Sequence, residues 1–165
     1  MVLATIRPVL PADYPRWKAL WDGCNAFYGR EGSTALPADV TQMTWSRFAD
    51  SHEAGHGLVA ERSGELLGLA HFLFHRSTTQ LYPTCYLQDL FTVEAARGTG
   101  VGRALVAAVC ERAKAAGSQR LYWHTQETNV VAMWLYDKLG QKSGFIVYTK
   151  QLWSRLRPAS STARA

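Results

Sequence analysis

Apolar positions recur along the chain at two spacings, and the change between them marks the elements. Thr5–Pro8 reads as a short strand closed by Pro8 and Pro11. Leu20, Trp21, Cys24, Phe27 and Tyr28 then fall three and four residues apart, which predicts an amphipathic helix from about Ala12 to Tyr28 with Asp13 as its N-cap. A second helix starts at Pro37-Ala38-Asp39 and carries Val40, Met43, Thr44, Arg47 and Phe48 on one face. The period shortens to two in Gly57–Arg62 and Leu66–Arg76, two strands around Ser63-Gly64-Glu65. A third strand, Cys85–Val93, sets Tyr86, Gln88 and Leu90 against Leu87, Asp89 and Phe91. Both faces are largely apolar, so the polar pair Gln88-Asp89 predicts a bulge or splay there. The helical period returns in Gly102–Ala116, with Val101, Leu105, Ala108, Val109 and Arg112 in one stripe. Arg120–Thr125 reads as a strand, Thr128–Lys138 as a helix and Gly144–Leu152 as a last strand. The result is an α/β (α+β) order with a mixed sheet covered by helices.

Composition narrows this little. Of 165 residues, 47% are hydrophobic and 19% charged, an ordinary globular balance. One domain over 1–153 is expected, with a small, polar, disordered tail over 154–165. The net charge of +5 contains no run of five basic residues, so nucleic acid is not an expected partner. Cys24, Cys85 and Cys110 are odd in number and widely spaced, which argues against a disulfide framework or zinc site and for a reducing, cytoplasmic setting. The N-terminal run is too polar for a membrane span.

The chemistry concentrates in Leu90–Arg103. Gly98, Gly100 and Gly102 alternate through a turn between a strand and a helix start, flanked by Arg97 and Arg103. Glycine lets backbone amides approach a ligand, and a helix start adds unpaired N–H groups and positive dipole. That is a cradle for a phosphate or pyrophosphate. A phosphate loop of the G-K-[ST] kind is excluded by Gly102-Arg103-Ala104. A dinucleotide fingerprint is excluded by G-x-G-x-G spacing and by Tyr122-Trp123-His124 where an acidic residue belongs.

Arg97-Gly98-Thr99-Gly100-Val101-Gly102 has the form R-x-x-G-x-G, and Asn129 to Tyr136 has the form N-x-x-A-x-x-L-Y. Together they resemble the GNAT superfamily of acyl-CoA-dependent N-acetyltransferases. The resemblance is strong over Tyr86–Tyr148, and Cys85–Gly102 with Tyr122–Asn129 looks most like the diamine or histone-and-polyamine acetyltransferase branch. The resemblance implies a mostly antiparallel central sheet with a splayed central strand and about four flanking helices. It implies acetyl-CoA as donor substrate and no metal, a small-molecule amine as acceptor, and a homodimer. The pyrophosphate would lie on Gly98, Thr99, Gly100, Val101, Gly102 and Arg103, beside Arg97. The pantetheine would run along the backbone of Leu90, Phe91 and Thr92, held also by Asn129 and Ala132. Lys138 or Arg103 would meet the 3′-phosphate.

Acetyl transfer needs a deprotonated amine, a polarised thioester carbonyl and a proton for the leaving thiolate. By resemblance Tyr136 is the acid for the thiolate, and the Leu90 N–H the oxyanion donor. Many diamine-acetylating relatives carry glutamate where Gln88 stands, and glutamine cannot accept a proton. Asp89 is adjacent but should face the opposite way in a regular strand. Glu127, His71 and His124 are the other candidate bases, and His71 and His75 also read as satisfied structural histidines. Tyr28, Glu31, Gln88 and Glu127 are candidate acceptor contacts, with Trp21 and Trp45 as possible walls.

Overall fold

A computed structural model describes residues 4–152. They fall into two compact units, one ending at Glu127 and the other beginning at Thr128. The first carries strands β1 (Thr5–Pro8), β2 (Gly55–Arg62), β3 (Glu65–His75), β4 (Thr84–Thr92) and β5 (Leu121–Trp123), with helices α1 (Tyr14–Phe27), α2 (Ala38–Arg47) and α3 (Val101–Ala115). The second carries α4 (Val130–Tyr136).

The five strands lie in sequence order. β1 to β4 pair antiparallel, and β5 joins β4 in parallel. This is the mostly antiparallel mixed sheet that the sequence implies. A two-residue turn at Ser63-Gly64 closes the β2–β3 hairpin, with Arg62 opposite Glu65. At Gly68 the neighbouring strand comes so close that a Cβ would meet the Phe91 carbonyl oxygen at 2.6 Å.

One sheet face packs under α1. Trp17, Leu20, Trp21 and Cys24, spaced as one helical stripe, cluster with Val59, Leu66 and Leu69. Trp17 is the centre of that cluster, fully buried against the rings of Tyr14, Trp45 and Phe48. Phe27 and Tyr28, expected on the same face, have rotated out and are exposed, edge to face with each other. The opposite face packs under α3 through Val101, Leu105, Val106, Val109 and Ala113.

Asp13 occupies the N-cap position of α1, as expected, but its side chain makes no capping hydrogen bond. Its buried carboxylate instead accepts from the Leu10 amide (2.8 Å), from both Arg7 terminal nitrogens (2.5 and 3.0 Å) and from Arg16 (2.6 Å). Chiefly through the Arg7 hydrogen bond, its pKa is pulled down to about 2. A depressed carboxylate contributes stability that is present above its unfolded pKa of about 3.9 and is lost as pH falls toward the folded value. The urea midpoint should therefore fall between about pH 4 and pH 2, and Asp13→Asn should remove about 2 kcal/mol at neutral pH. A variant as stable as wild type at pH 7 would contradict this.

Three expectations need correction. β5 spans three residues, shorter than Arg120–Thr125, and α4 stops at Tyr136, short of Lys138. Gly144–Leu152 forms no strand: residues 145–150 are irregular, and Phe145, Ile146, Val147 and Tyr148 are exposed. Strand propensity alone does not hold a strand, which needs an edge to pair with, and none pairs with this segment among the described residues. The expected tail over 154–165 lies outside the described residues.

Candidate active site

The site is organised by an irregularity in β4. His71 pairs with Asp89, yet the next residue, Phe72, pairs with Leu87. Gln88 is therefore an extra residue, a bulge at the polar pair. Alternation slips by one, so Asp89 stands across from His71 on the α1 face. The expectation that Asp89 faces away from the Gln88 side fails for this reason. Both residues line one cavity of about 370 Å³.

The cavity lies between the sheet and the two N-terminal helices. Trp21 and Asn25 reach it from α1, Thr44 and Arg47 from α2, and Arg30 from the loop between them. Asp89 Oδ2 lies 3.0 Å from His71 Nδ1, and the aspartate side chain is 13% exposed. On the far side of the imidazole, Trp17 Nε1 donates to His71 Nε2 at 3.0 Å. Trp21 Nε1 is buried without a hydrogen-bond partner among the described residues, and its ring centroid is 5.1 Å from that of His71. Arg30 donates to Asn25 Oδ1 at 2.7 Å and stacks over Tyr28. Burial pushes the Tyr28 phenol pKa up, and it pushes the Cys24 thiol up to about 12, with the Asp89 charge adding to both.

β4 pairs with β5 only through Cys85, Tyr86 and Leu87. Beyond Leu87 no strand pairs on that side among the described residues, which is the splay. The Val93 amide donates inward to the Leu67 carbonyl. Hydrogen-bonded pairs alternate along an antiparallel ladder, so Phe91 also turns inward while Leu90 and Thr92 turn their N–H groups outward. Of the three residues expected along pantetheine, Leu90 and Thr92 have their N–H groups on the open side of β4, and Phe91 has its N–H on the β3 side.

The glycine-rich turn has the expected form. Gly98 and Gly100 sit at φ +74° and +93°, and a Cβ on either would meet nothing within 4 Å. Gly100 is the N-cap of α3, whose first bond runs from Ala104 N to Gly100 O (3.0 Å). Val101, Gly102 and Arg103 therefore present amides with no intrahelical carbonyl. Arg97 and Arg103 are exposed beside them, while the Thr99 hydroxyl is spent on Ala96 O (2.7 Å). Open amides and two guanidiniums suit a pyrophosphate.

In the second unit, the Asn129 side-chain oxygen caps α4 by accepting from Ala132 N at 3.3 Å, which leaves its amide nitrogen for a ligand. Asn129, Ala132 and Tyr136 share a helical face, with Tyr136 the last residue of α4. Lys138 is exposed just beyond it.

Glu31 and Glu127 are exposed and do not line the cavity. Trp45 packs into the α1 cluster. His124 pairs with the Tyr86 hydroxyl (3.2 Å) and His75 with the Tyr122 hydroxyl (3.0 Å), a separate aromatic group at the β4–β5 end. Arg30 and Arg47 were missed as cavity residues. Nothing in their spacing marks them, because the fold joins two different segments. Among the described residues no group of three or more His, Cys, Asp or Glu could hold a metal, and no helix is long and apolar enough to cross a membrane.

An antiparallel sheet split at one strand, beside a glycine-rich helix start, suits an acyltransferase of the CoA-using kind. The chain belongs to the acetyltransferase (GNAT) family, whose pattern matches residues 17–141. It is 31% identical over 147 residues to the D-amino-acid N-acetyltransferase HPA3 of Saccharomyces cerevisiae (strain ATCC 204508 / S288c), covering 88% of this chain and 89% of that protein. An uncharacterized N-acetyltransferase, YhfO of Bacillus subtilis (strain 168), is 34% identical over 102 residues, 55% of this chain and 62% of that one. Among solved structures, AAC(6')-Iy in complex with a bisubstrate analog, CoA-S-monomethyl-acetylneamine, shares the fold (TM-score 0.76, 15% identity, 91% of this chain and 99% of that one).

Proposed function

We propose that this acetyltransferase moves the acetyl group of acetyl-CoA to the primary amine of a small molecule that also carries a carboxylate, an amino acid being the simplest case. The observation that carries this is the charge layout of one cavity: Asp89 with Gln88 on the sheet, Arg30 and Arg47 on the helical side. An ammonium is attracted to the aspartate and a carboxylate to the guanidiniums. A volume of about 370 Å³ suits a small ligand. Two lining arginines disfavour the polyamines and basic protein tails that an acidic groove would take. The relative's D-amino-acid activity points the same way.

The reaction is direct attack in a ternary complex. The acceptor ammonium gives a proton to Asp89, and its nitrogen attacks the thioester carbonyl. The carbonyl oxygen, now an oxyanion, accepts from the outward Leu90 N–H. The intermediate collapses, the C–S bond breaks, and the Tyr136 hydroxyl protonates the thiolate; the acceptor nitrogen gives up its second proton to solvent as the amide forms, solvent reprotonates the Tyr136 phenolate, and Asp89 releases its proton to solvent. The pyrophosphate rests on the amides of Gly98 and of 100–103 with Arg97 and Arg103, the Thr99 amide being turned to the Ala96 carbonyl, and the pantetheine runs along Leu90 and Thr92 in the manner of an added strand. The homodimer of the resemblance and a cytoplasmic setting consistent with free Cys24, Cys85 and Cys110 complete the reading.

The test is thiol release from acetyl-CoA across D- and L-amino acids, diamines, polyamines and lysine-containing peptides. Amino acids are expected to give kcat/KM at least tenfold above diamines. Preference for diamines or peptides would move the acceptor class. Silence on every amine, with CoA still bound, would leave only a non-catalytic CoA-binding module.

A further inference from the structure

We propose that His71 is a positioning residue for acetyl transfer: Trp17 fixes its tautomer, and through it the aim of the Asp89 carboxylate. The inference rests on the reading of Asp89 as the group that receives the acceptor's proton.

The hydrogen-bond chain assigns every proton along it. Trp17 is fully buried, and an indole N–H can only donate. Its acceptor is His71 Nε2 at 3.0 Å, so that nitrogen carries a lone pair. The ring proton is then on Nδ1, which donates to Asp89 Oδ2 at 3.0 Å. A proton added at Nε2 would set two donors face to face and strand the buried indole N–H, at a cost of a lost buried hydrogen bond. The imidazole is also packed among apolar rings, with Trp21 and Phe48 centroids at 5.1 and 4.7 Å. Its tautomer and orientation are both set by α1 and α2 packing.

The consequence falls on Asp89. Oδ2 is held by the imidazole, while Oδ1 bonds to no other described residue. The bulge at Gln88 brings Asp89 opposite His71, and the histidine then anchors it on the cavity wall. His71 is excluded as the base, since its one lone pair is committed to Trp17. Its contribution is to fix the geometry of the carboxylate that takes the proton, and misplacing a reacting group by about 1 Å costs on the order of 10²-fold in rate. A purely structural histidine, filling space and satisfying Trp17, would matter to stability alone.

Two variants separate these roles. Asparagine places an amide N–H near the position of Nδ1, so His71→Asn keeps a donor for Asp89, whereas His71→Leu keeps volume and removes the donor. With the best amino acid of the panel as acceptor, His71→Leu should lower kcat/KM by about 10²-fold, with the acetyl-CoA KM within about twofold of wild type. His71→Asn should recover at least tenfold of that loss at equal thermal stability. Independently of turnover, ¹⁵N spectra of the His71 ring should show one species, protonated on Nδ1, and Trp17→Phe should abolish that single state. Equal losses in both variants, wild-type kcat/KM in His71→Leu, or a ring protonated on Nε2 in the wild type would each overturn the proposal. An inactive Asp89→Asn beside a fully active His71→Leu would sink the positioning role and leave the base assignment standing. An active Asp89→Asn would sink the base assignment first.

Discussion

Tyr136→Phe is expected to lower kcat by about 10²- to 10⁴-fold while the KM for acetyl-CoA stays near wild type. The leaving group is an alkyl thiolate of pKa about 8.5, and a phenol of pKa about 10 is a competent donor once positioned. Phenylalanine keeps the ring and removes only the O–H, so the loss should sit in the chemical step. Tyr136 closes α4 seven residues after Asn129, close to two helical turns, so the two residues and Ala132 share one face. The check is steady-state kinetics together with CoA binding by calorimetry. Turnover within threefold of wild type at saturating substrates would rule the role out, and so would a loss confined to acetyl-CoA KM.

The parts of this site that could be read from sequence are those set by local backbone chemistry. Gly98 and Gly100 adopt the positive φ that their spacing suggests, and α3 starts just after them, where Val101, Gly102 and Arg103 have no intrahelical carbonyl to bond. The polar pair in an otherwise apolar β4 marked the bulge, because buried polar residues need a partner or a ligand. The consequence of the bulge was not readable. Regular alternation turns Asp89 away from Gln88, and only the register with β3 shows that the slip places it against His71. Trp17 escaped notice because its role depends on a residue 54 positions away. Arg30 and Arg47 come into one cavity through the packing of α1 and α2 on the sheet, a tertiary fact with no periodic signature. The Phe145–Tyr148 run failed in the opposite sense, since its β-branched and aromatic residues suggest a strand that finds no edge among the described residues.

Asp89→Asn should lower kcat/KM for the amine by about 10³-fold at pH 7, and the deficit itself should depend on pH. An alkyl ammonium with pKa about 10.4 is deprotonated to less than one part in 10³ at neutral pH. With its base removed, the enzyme draws on that fraction alone. Each unit of rising pH enlarges the fraction about tenfold, so the variant should gain on wild type by about that factor per unit until the amine titrates. Asparagine is nearly isosteric, and its Oδ1 can still accept from the His71 Nδ1–H. The hydrogen bonds running from Trp17 through His71 to this position, and the melting temperature, should therefore be preserved. Acetyl-CoA KM should not move, because Asp89 is apart from the 98–103 turn in sequence and in role. The ratio of variant to wild-type kcat/KM, measured from pH 6.5 to 9.5, decides between two functions of the carboxylate. A ratio that climbs with pH assigns Asp89 to proton removal. A constant ratio with a raised amine KM assigns it to binding the ammonium, and the proton must then leave by another route, with Gln88 unable to take it.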